Sequence, residues 1–340
     1  MKKLISMLLA LLLVMSLSSA AFANSATYTD MSTVTLTINY NETNDGSTSP
    51  AEDLSFTISN TSVTDAASGV DTASMPTPTL GTVSYAEGDA GDTDMTKTLT
   101  ITLPPYTSVG IYTYTITQTA GDKAGVSYWA SDIRLVVTVV QDTNGLLRVA
   151  AVHTEGSEGE KSDDITNTYS AGSLAVTKTV TGNMGDRSKY FAINVTLTGE
   201  ADKTYAASYT VTGGTKLTDG TTDAATASIS VDGLSHTFYL KHGETFTISN
   251  LPYGVTYAVT EENYTAEEKG GYDTPAITYS DAGTTKTVDS SSETVGITNN
   301  KGAIVDTGIS LDSLPYILLL VISLTGAVVF IVKRRSSRES

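Results

Sequence analysis

The stretch SLAVTKTVTG, residues 173–182, alternates apolar and polar side chains along its whole length. Leu174 and Val176 share one phase of this alternation, and Lys178 follows them on the same phase. A period of two, with β-branched residues, is typical of a strand that turns one face to a core. The stretch therefore predicts a β-strand, and it predicts that this strand turns a lysine inward.

Further stretches show the same alternation. They are TVTLTINY (33–40), TKTLTITL (96–103), IYTYTITQT (111–119), IRLVVTVVQ (133–141) and TYAVTEE (256–262). Turn residues separate such runs, and we find no amphipathic helical pattern between the two ends of the chain. The pattern predicts an all-β protein built of sandwiches.

The chain repeats itself weakly, which indicates two homologous domains. The similar segments are 103–128 and 251–272, followed by DITN (164–167) and GITN (296–299). Each half opens on one strand, carries a proline turn and strand late, and closes on a strand with the sequence ITN. We therefore expect tandem domains over residues 25–170 and 171–301.

The two ends of the chain are targeting segments. Lysines followed by an apolar run and an Ala-Phe-Ala cleavage pattern predict a secretory signal peptide over residues 1–23. Residues 314–332 carry no charge and are long enough to cross a bilayer as a helix. The basic residues of the tail, 333–340, predict that this tail stays in the cytoplasm and the bulk lies outside.

The composition excludes several classes of function. The chain has 37 Asp and Glu against 20 Lys and Arg, a formal net charge of −17, which disfavours nucleic acid as a partner. It has no cysteine, and its three histidines show no metal-binding spacing, so we expect no metal and no cofactor. Motifs of a nucleophile elbow or a phosphate loop are absent from the sequence.

Three polar side chains lie on the inward phase of their strands. Lys178, Glu261 and Asn299 follow apolar residues on the first, a late and the last strand of the second domain. One alternative is that each side chain points outward, or that Lys178 and Glu261 form a partly buried ion pair, and the general rarity of functional strand lysines favours it. The other is covalent: burial yields a neutral amine and a protonated acid, and the amine attacks the Asn299 carboxamide and expels ammonia. The resulting Lys–Asn isopeptide bond would replace disulfides in an exported chain without cysteine.

The segments SLAVTKTVTGN, YAVTEEN and ITNNKGAIVDTG together resemble the backbone pilins of Gram-positive bacteria, close to the two-domain streptococcal type. The resemblance covers nearly the whole chain, and in the first half it includes SVGIYTYTITQTAGDKAGVSY and VHTEGSEGEKSDDITN. It implies two tandem Ig-like, Cna-B-like sandwiches. It also implies that Lys178 and Asn299 are bonded and that Glu261 is the catalytic acid, which favours the covalent alternative.

The first domain departs from the family pattern. Thr37 stands where the family has its lysine, and Gln118 stands where it has its glutamate, so that only Asn167 remains. Threonine cannot form an amide bond and glutamine cannot act as an acid, so we predict no Lys–Asn bond here. An ester between Thr37 and Asn167 would need a base that the sequence does not identify. Ordinary hydrogen bonds among the three residues are the expectation.

Lys161 lies in the segment EGSEGEKSDD, just before the last strand of the first domain. By composition alone it is a solvated loop lysine. The resemblance implies that a lysine in this segment accepts the C-terminus of the next subunit, and Lys161 is the candidate inter-subunit lysine.

The pentapeptide Ile304-Val305-Asp306-Thr307-Gly308 precedes the apolar span and the basic tail. It resembles variant sorting motifs of such pilins, in which sortase cleaves between the threonine and the glycine. The family often has proline at the position of Asp306, which leaves the identity of the sortase open.

The resemblance therefore implies a structural protein, not an enzyme: a major pilin subunit on the wall of a Gram-positive cell. Sortase would join Thr307 to Lys161 of another copy, and the membrane span would serve only before sorting. Minor pilins and peptidoglycan are the further expected partners. The alternative is a wall-anchored adhesin or minor pilin that binds a host or matrix ligand.

Overall fold

A computed structural model describes residues 30–91, 95–156, 158–303 and 314–336 of the chain. The predicted signal peptide and the IVDTG motif lie outside the described residues.

Ten strands form a first sandwich of two five-stranded sheets. The strands are β1 (Thr33–Glu42), β2 (Glu52–Thr64), β3 (Thr79–Leu80), β4 (Val83–Tyr85), β5 (Thr96–Thr102), β6 (Gly110–Thr119), β7 (Val126–Ser127), β8 (Asp132–Gln141), β9 (Leu147–Glu155) and β10 (Asp164–Tyr169). One sheet has the order β3-β5-β1-β10-β7, and the facing sheet has the order β4-β2-β6-β8-β9.

Nine strands form a second sandwich. They are β11 (Ala171–Thr181), β12 (Phe191–Thr198), β13 (Tyr209–Gly213), β14 (Thr226–Ile229), β15 (Ser235–Leu240), β16 (Thr245–Pro252), β17 (Thr256–Glu261), β18 (Ala276–Tyr279) and β19 (Ser292–Asn300). A six-stranded sheet has the order β14-β13-β16-β11-β19-β18, and it faces a three-stranded sheet, β15-β12-β17. A single 3₁₀ turn, Glu267–Lys269, follows β17 among the described residues of this half.

The first and last strands of each sandwich are parallel neighbours. β1 pairs with β10, and Tyr40 lies opposite Asn167. β11 pairs with β19, and Val180 lies opposite Asn299. This shared pairing places the last-strand asparagine of each sandwich beside the inward face of its first strand.

Each sandwich buries its own core, as the alternation predicts. Leu174 and Val176 of β11 are fully buried, and so are Leu36 and Ile38 of β1. The first core is formed by strands β1 to β10 with their loops and by Ala171 at the start of β11, and the second by strands β11 to β19 with their loops. The predicted all-β fold with two sandwiches is confirmed.

A C-terminal helix, α1 (Leu314–Ser336), follows the sandwiches. By length and composition it is the one helix among the described residues that is able to span a membrane, with a mean hydropathy of 2.5 in an 18-residue window within Pro315–Arg335. Lys333, Arg334 and Arg335 occupy its last turn, so that the helix extends past the predicted span into the basic tail.

Candidate functional site

Three polar side chains meet in the core of the second sandwich. Lys178 lies on β11 and Asn299 on the neighbouring β19, and both residues are fully buried. Glu261 ends β17 in the facing sheet, and its side chain is 0% exposed. Two residues therefore approach from one sheet and the third from the opposite sheet.

The three side chains contact one another directly. Nζ of Lys178 donates to Oδ1 of Asn299. The same Nζ lies 3.1 Å from Oε1 of Glu261. Nδ2 of Asn299 donates to Oε2 of Glu261 over 2.7 Å. One carboxyl group thus faces both nitrogens, the amine on one oxygen and the carboxamide on the other.

Aromatic rings cover this cluster. The ring centroid of Phe191 lies 4.3 Å from Nζ of Lys178. Tyr264 and Tyr272 pack edge-on against the Phe191 ring at centroid distances of 4.9 and 5.2 Å. These rings keep water from the amine, because Phe191 itself is fully buried. Sequence reasoning missed Phe191, which opens its strand after a loop and shows no alternation that points at the lysine.

Burial sets the charge state of the pair. Loss of hydration lowers the pKa of the Lys178 amine, and the attraction of Glu261 opposes this shift only in part. Loss of hydration also raises the pKa of the Glu261 carboxyl group, against the opposing effects of Lys178 and Asn299. Both pKa shifts favour a protonated Glu261 carboxyl group and a neutral Lys178 amine with a free lone pair. An uncharged amine beside a carboxamide, with an acid between the two nitrogens, is the arrangement that amide exchange requires.

The first sandwich holds an amide cluster at the matching place. Oδ1 of Asn167 accepts hydrogen bonds from Nε2 of Gln118 over 2.7 Å and from the backbone N–H of Trp129 over 3.0 Å. Nδ2 of Asn167 donates to Oε1 of Gln118 over 3.3 Å. The expected hydrogen bond between Gln118 and Asn167 is present, and Trp129 is a partner that the sequence did not indicate.

Thr37 is not part of this cluster, which corrects the sequence-based assignment. Val180 lies opposite Asn299, and Lys178 comes two residues before Val180. Tyr40 lies opposite Asn167, and the residue two positions before Tyr40 is Ile38. Ile38 is fully buried, whereas Thr37 is only partly buried. Neighbouring strand residues point to opposite faces, so an error of one residue in register exchanges the core side chain for an outer one. Thr37 and Asn167 are therefore not placed for an ester bond.

Lys161 is exposed at the margin of the first sandwich. It forms an isolated antiparallel bridge with Glu155, the last residue of β9. The backbone N–H of Ser162 donates to the carbonyl of Thr154 over 3.2 Å, which holds the lysine's segment against the end of that strand. Lys161 is thus accessible and carried on an ordered backbone.

The described part of the second sandwich ends at a fixed residue. The backbone N–H of Ala303 donates to Oδ1 of Asn183 over 2.8 Å, and Nδ2 of Asn183 donates to the Ala303 carbonyl over 3.1 Å. Ile304, Val305, Asp306, Thr307 and Gly308 follow directly and lie outside the described residues.

The described residues contain no group of three or more His, Cys, Asp or Glu side chains arranged to hold a metal ion.

Two family models match the chain. Residues 26–170 match a family described as Spy0128-like isopeptide containing domain, and residues 172–301 match a domain of unknown function. The half that matches the isopeptide-containing family has Ile38 and Gln118 at its cluster. The half with the buried lysine and glutamate matches the family without an assigned function.

Known proteins with similar sequence or structure are proteins of pili. A pilin of Streptococcus pyogenes serotype M1 is 31% identical over 318 residues, which are 89% of this chain and 91% of that protein. The pilus tip adhesin Cpa of Streptococcus pyogenes is 30% identical over 142 residues, only 18% of its own length. The crystal structure of the major pilin from Streptococcus pyogenes has the same fold, with a TM-score of 0.54 and 24% identity, over 81% of this chain and all of that one. These relatives are named as pilins and as a pilus tip adhesin and not as enzymes, and the chain belongs to the pilin family.

Proposed function

We propose that this chain is the shaft subunit of a covalent pilus and that its second sandwich carries an internal isopeptide bond between Lys178 and Asn299. The single observation that carries the cross-link is the closed, fully buried set of contacts among Lys178, Glu261 and Asn299. A buried lysine and carboxylate are poor stabilisers as an ion pair, because the cost of dehydrating both groups offsets most of their attraction. Their burial beside Asn299 is better explained by a reaction between the lysine amine and the asparagine carboxamide.

The reaction is an amide exchange in which atoms balance. Nζ of Lys178 attacks Cγ of Asn299, the bond from Cγ to Nδ2 breaks, and Nδ2 leaves as ammonia. Glu261 gives a proton to Nδ2 and receives one from Nζ, so that it ends in the protonation state in which it began. The 2.7 Å hydrogen bond from Nδ2 to Oε2 and the 3.1 Å approach of Nζ to Oε1 support both transfers. The fold supplies the proximity, which is a large share of the barrier.

The second covalent step joins subunits. Sortase cleaves the amide bond between Thr307 and Gly308, releases the Gly308 amine, and transfers the Thr307 carbonyl to Nζ of Lys161 in another copy. One amide bond breaks and one forms. The exposure of Lys161, its fixed backbone and the position of IVDTG ahead of helix α1 support this assignment.

Each segment of the chain has a separate role in export, assembly or anchoring. Residues 1–23 are removed as a signal peptide on export. Residues 25–170 and 171–301 are the two structural units of the shaft. Residues 314–332 and 333–340 hold the chain at the membrane as span and cytoplasmic tail until sortase cuts, after which the subunit lies in a pilus on a Gram-positive surface. Self-association follows from membership of the pilin family, and minor pilins and peptidoglycan complete the proposed partners.

A wall-anchored adhesin or minor pilin is the second candidate. The similarity to the tip adhesin supports it, but that similarity spans 41% of this chain and a small part of the adhesin. A shaft subunit needs a lysine that accepts the next copy, whereas a tip protein does not. The two candidates therefore differ in what they predict for Lys161.

Surface proteins released from cells and boiled in SDS test the assignment. We expect wild type to give a ladder of covalent multimers and Lys161→Ala to give monomer alone. Lys216→Ala is the matched control, because this lysine is also partly exposed, at 33% of its side chain, but lies in the second sandwich. A ladder that persists in Lys161→Ala would show that another lysine accepts Thr307. A single band in wild type would contradict the shaft role.

A further inference from the structure

β9 is the edge strand of its sheet, with β8 as its single strand neighbour among the described residues. Residues 149–152 of β9 read Val-Ala-Ala-Val, without a charge or a proline. Ala150 and Ala151 are exposed, and a shift in register leaves Ala150 without a Cα partner on β8. Natural edge strands commonly carry charges, proline or a β-bulge to prevent pairing with another chain. This stretch has no charge and no proline, and its bulge is confined to Ala150, so its backbone is open to the addition of a strand.

The open stretch leads directly to Lys161. The Lys161 segment lies along the outer side of β9 only from residue 154 onward, through the bridge between Glu155 and Lys161. A strand laid on residues 149–152 would therefore end beside this lysine.

The donor end of a second copy has a short reach. Ala303 is fixed to Asn183, and only four residues separate it from the end of Thr307. Four extended residues span about 13 Å. The bodies of two joined subunits must therefore be in contact near Lys161, and the tail has the length of the open stretch of β9.

We propose that residues 304–307 of a second copy pair with residues 149–152 as a short parallel strand and so deliver Thr307 to Lys161. The added strand must run parallel to β9, because Thr307 has to reach Lys161 near the end of β9 and Ala303 then lies toward its start. Three of the four tail residues are β-branched and none is proline, so every tail residue has a backbone N–H to donate. This inference rests on the proposed function, since it assumes that Lys161 is the acceptor.

Disulfide trapping in intact polymers tests the pairing, because the chain has no cysteine of its own. Asp306→Cys, at the variable position of the sorting motif, is combined with Ala151→Cys or with Ala150→Cys, and polymers assembled under reducing conditions are then mildly oxidised. Neighbouring residues side by side on adjacent strands come close enough for a disulfide. The proposed register places one of the two alanines beside residue 306. We expect that one to form a disulfide in most junctions, detected by mass spectrometry. Thr100→Cys, exposed on β5 of the other sheet, should form none with Asp306→Cys.

A proline substitution gives an independent measurement. Ala150→Pro removes one backbone donor from the edge, and we expect its ladder to be at least tenfold weaker than that of Ala150→Thr, while its mass and thermal midpoint show a folded monomer. A normal ladder in Ala150→Pro, or a normal ladder without either disulfide, overturns the strand pairing and leaves the proposed function intact. Absence of a ladder in wild type overturns both.

Discussion

The two sandwiches hold the same scaffold around two different clusters. In each, an asparagine from the last strand lies beside the first strand, and a side chain from the facing sheet reaches its carboxamide. The second sandwich supplies Lys178 and Glu261, whereas the first supplies Ile38 and Gln118 at the corresponding places. The backbone therefore positions the asparagine in both sandwiches, and two further side chains decide whether its carboxamide meets an amine and an acid.

The first cluster is complete as a hydrogen-bonded network. Asn167 receives two donors and gives one, all to uncharged groups, so its burial leaves no charge to neutralise. The second cluster buries two ionisable groups, which lose hydration and gain each other, Asn299 and a 3.3 Å hydrogen bond from Nζ of Lys178 to the Thr179 carbonyl. A match to an isopeptide-containing family therefore does not by itself fix the chemistry of a domain, because function depends on the site and not on the fold.

Removal of the reactive asparagine gives the largest expected effect. In wild type the mass of the exported fragment should fall short of its sequence mass by one ammonia, and in Asn299→Ala this deficit should vanish. The bond would join residues 121 apart. By analogy with disulfides, loss of such a loop closure should lower the free energy of unfolding by about 5 kcal/mol. Urea unfolding measures this loss. A wild-type mass without a deficit would contradict the cross-link, and a deficit of two ammonia molecules would contradict the interpretation of the first sandwich.

Glu261→Gln converts the acid of the second cluster into the residue found in the first. The amide keeps the shape and a hydrogen bond to Asn299, but it cannot carry a proton between two nitrogens. We expect the mass deficit to vanish and the free energy of unfolding to fall by roughly 4 kcal/mol. Gln118→Glu is the reciprocal control, which should leave the deficit at one ammonia because Ile38 offers no amine. Bond formation in Glu261→Gln would remove the catalytic role of the acid.

The lysine and glutamate that the first sandwich lacks can be introduced by substitution. Ile38→Lys with Gln118→Glu should give a deficit of two ammonia molecules. Packing strain offsets part of the benefit, so we expect a net gain of roughly 2 to 3 kcal/mol in the free energy of unfolding. Thr37→Lys with Gln118→Glu is the matched control, and its deficit should remain one. A second bond in the Thr37 variant but not in the Ile38 variant would reverse our assignment of the register.

The contrast between Thr37 and Ile38 shows where sequence reasoning reached its limit. Alternation predicted β11 and the inward phase of Lys178, because a period of two is set within one strand. The position opposite Asn167 depends on the parallel register between the first and last strands, which is set by packing across more than a hundred residues. The sequence therefore predicted that Gln118 and Asn167 lie together, but it was wrong by one position on β1 and so named a threonine where the cluster has an isoleucine.

Other parts of the fold left a weaker pattern in the sequence. β2 was not singled out, because beyond Leu54 its side chains are partly or fully exposed and small polar residues dominate. Phe191, which covers Lys178, is the first residue of β12, and the Trp129 N–H that donates to Asn167 lies in the loop between β7 and β8. Such contacts have no fixed spacing, so no local pattern indicates them.

Loss of the asparagine in the first sandwich should have a moderate effect. Asn167→Ala leaves the Gln118 amide and the Trp129 N–H without their acceptor, and an unsatisfied buried polar group costs about 1 to 3 kcal/mol. We expect the free energy of unfolding to fall by about 2 kcal/mol while the mass deficit stays at one ammonia. A change in mass on this substitution would show that Asn167 takes part in a bond after all.

When the isopeptide bond is absent, the buried Lys178 amine should make the free energy of unfolding depend on pH, whereas the first cluster has no such group. In Glu261→Gln the Lys178 amine stays free, and burial holds its pKa below that of the unfolded chain. The unfolded state then binds more protons between the two pKa values, so the free energy of unfolding rises with pH, by up to about 1.4 kcal/mol per pH unit. This stabilisation is fully present above the unfolded pKa of about 10.4 and is lost as the pH falls toward the folded pKa.

The matched control is the double variant Lys178→Met, Glu261→Gln, which copies the first cluster by placing an apolar residue and a glutamine around an asparagine. Other groups titrate equally in both variants, so the difference between their urea midpoints at pH 7, 8 and 9 isolates the amine. We expect this difference to shrink as the pH rises, because the free energy needed to remove the proton from the amine on folding falls as the pH approaches the unfolded pKa. A difference that stays constant over this range would mean that Lys178 escapes to solvent when Glu261 is replaced. In that case the acid, and not the fold alone, would hold the lysine in the core.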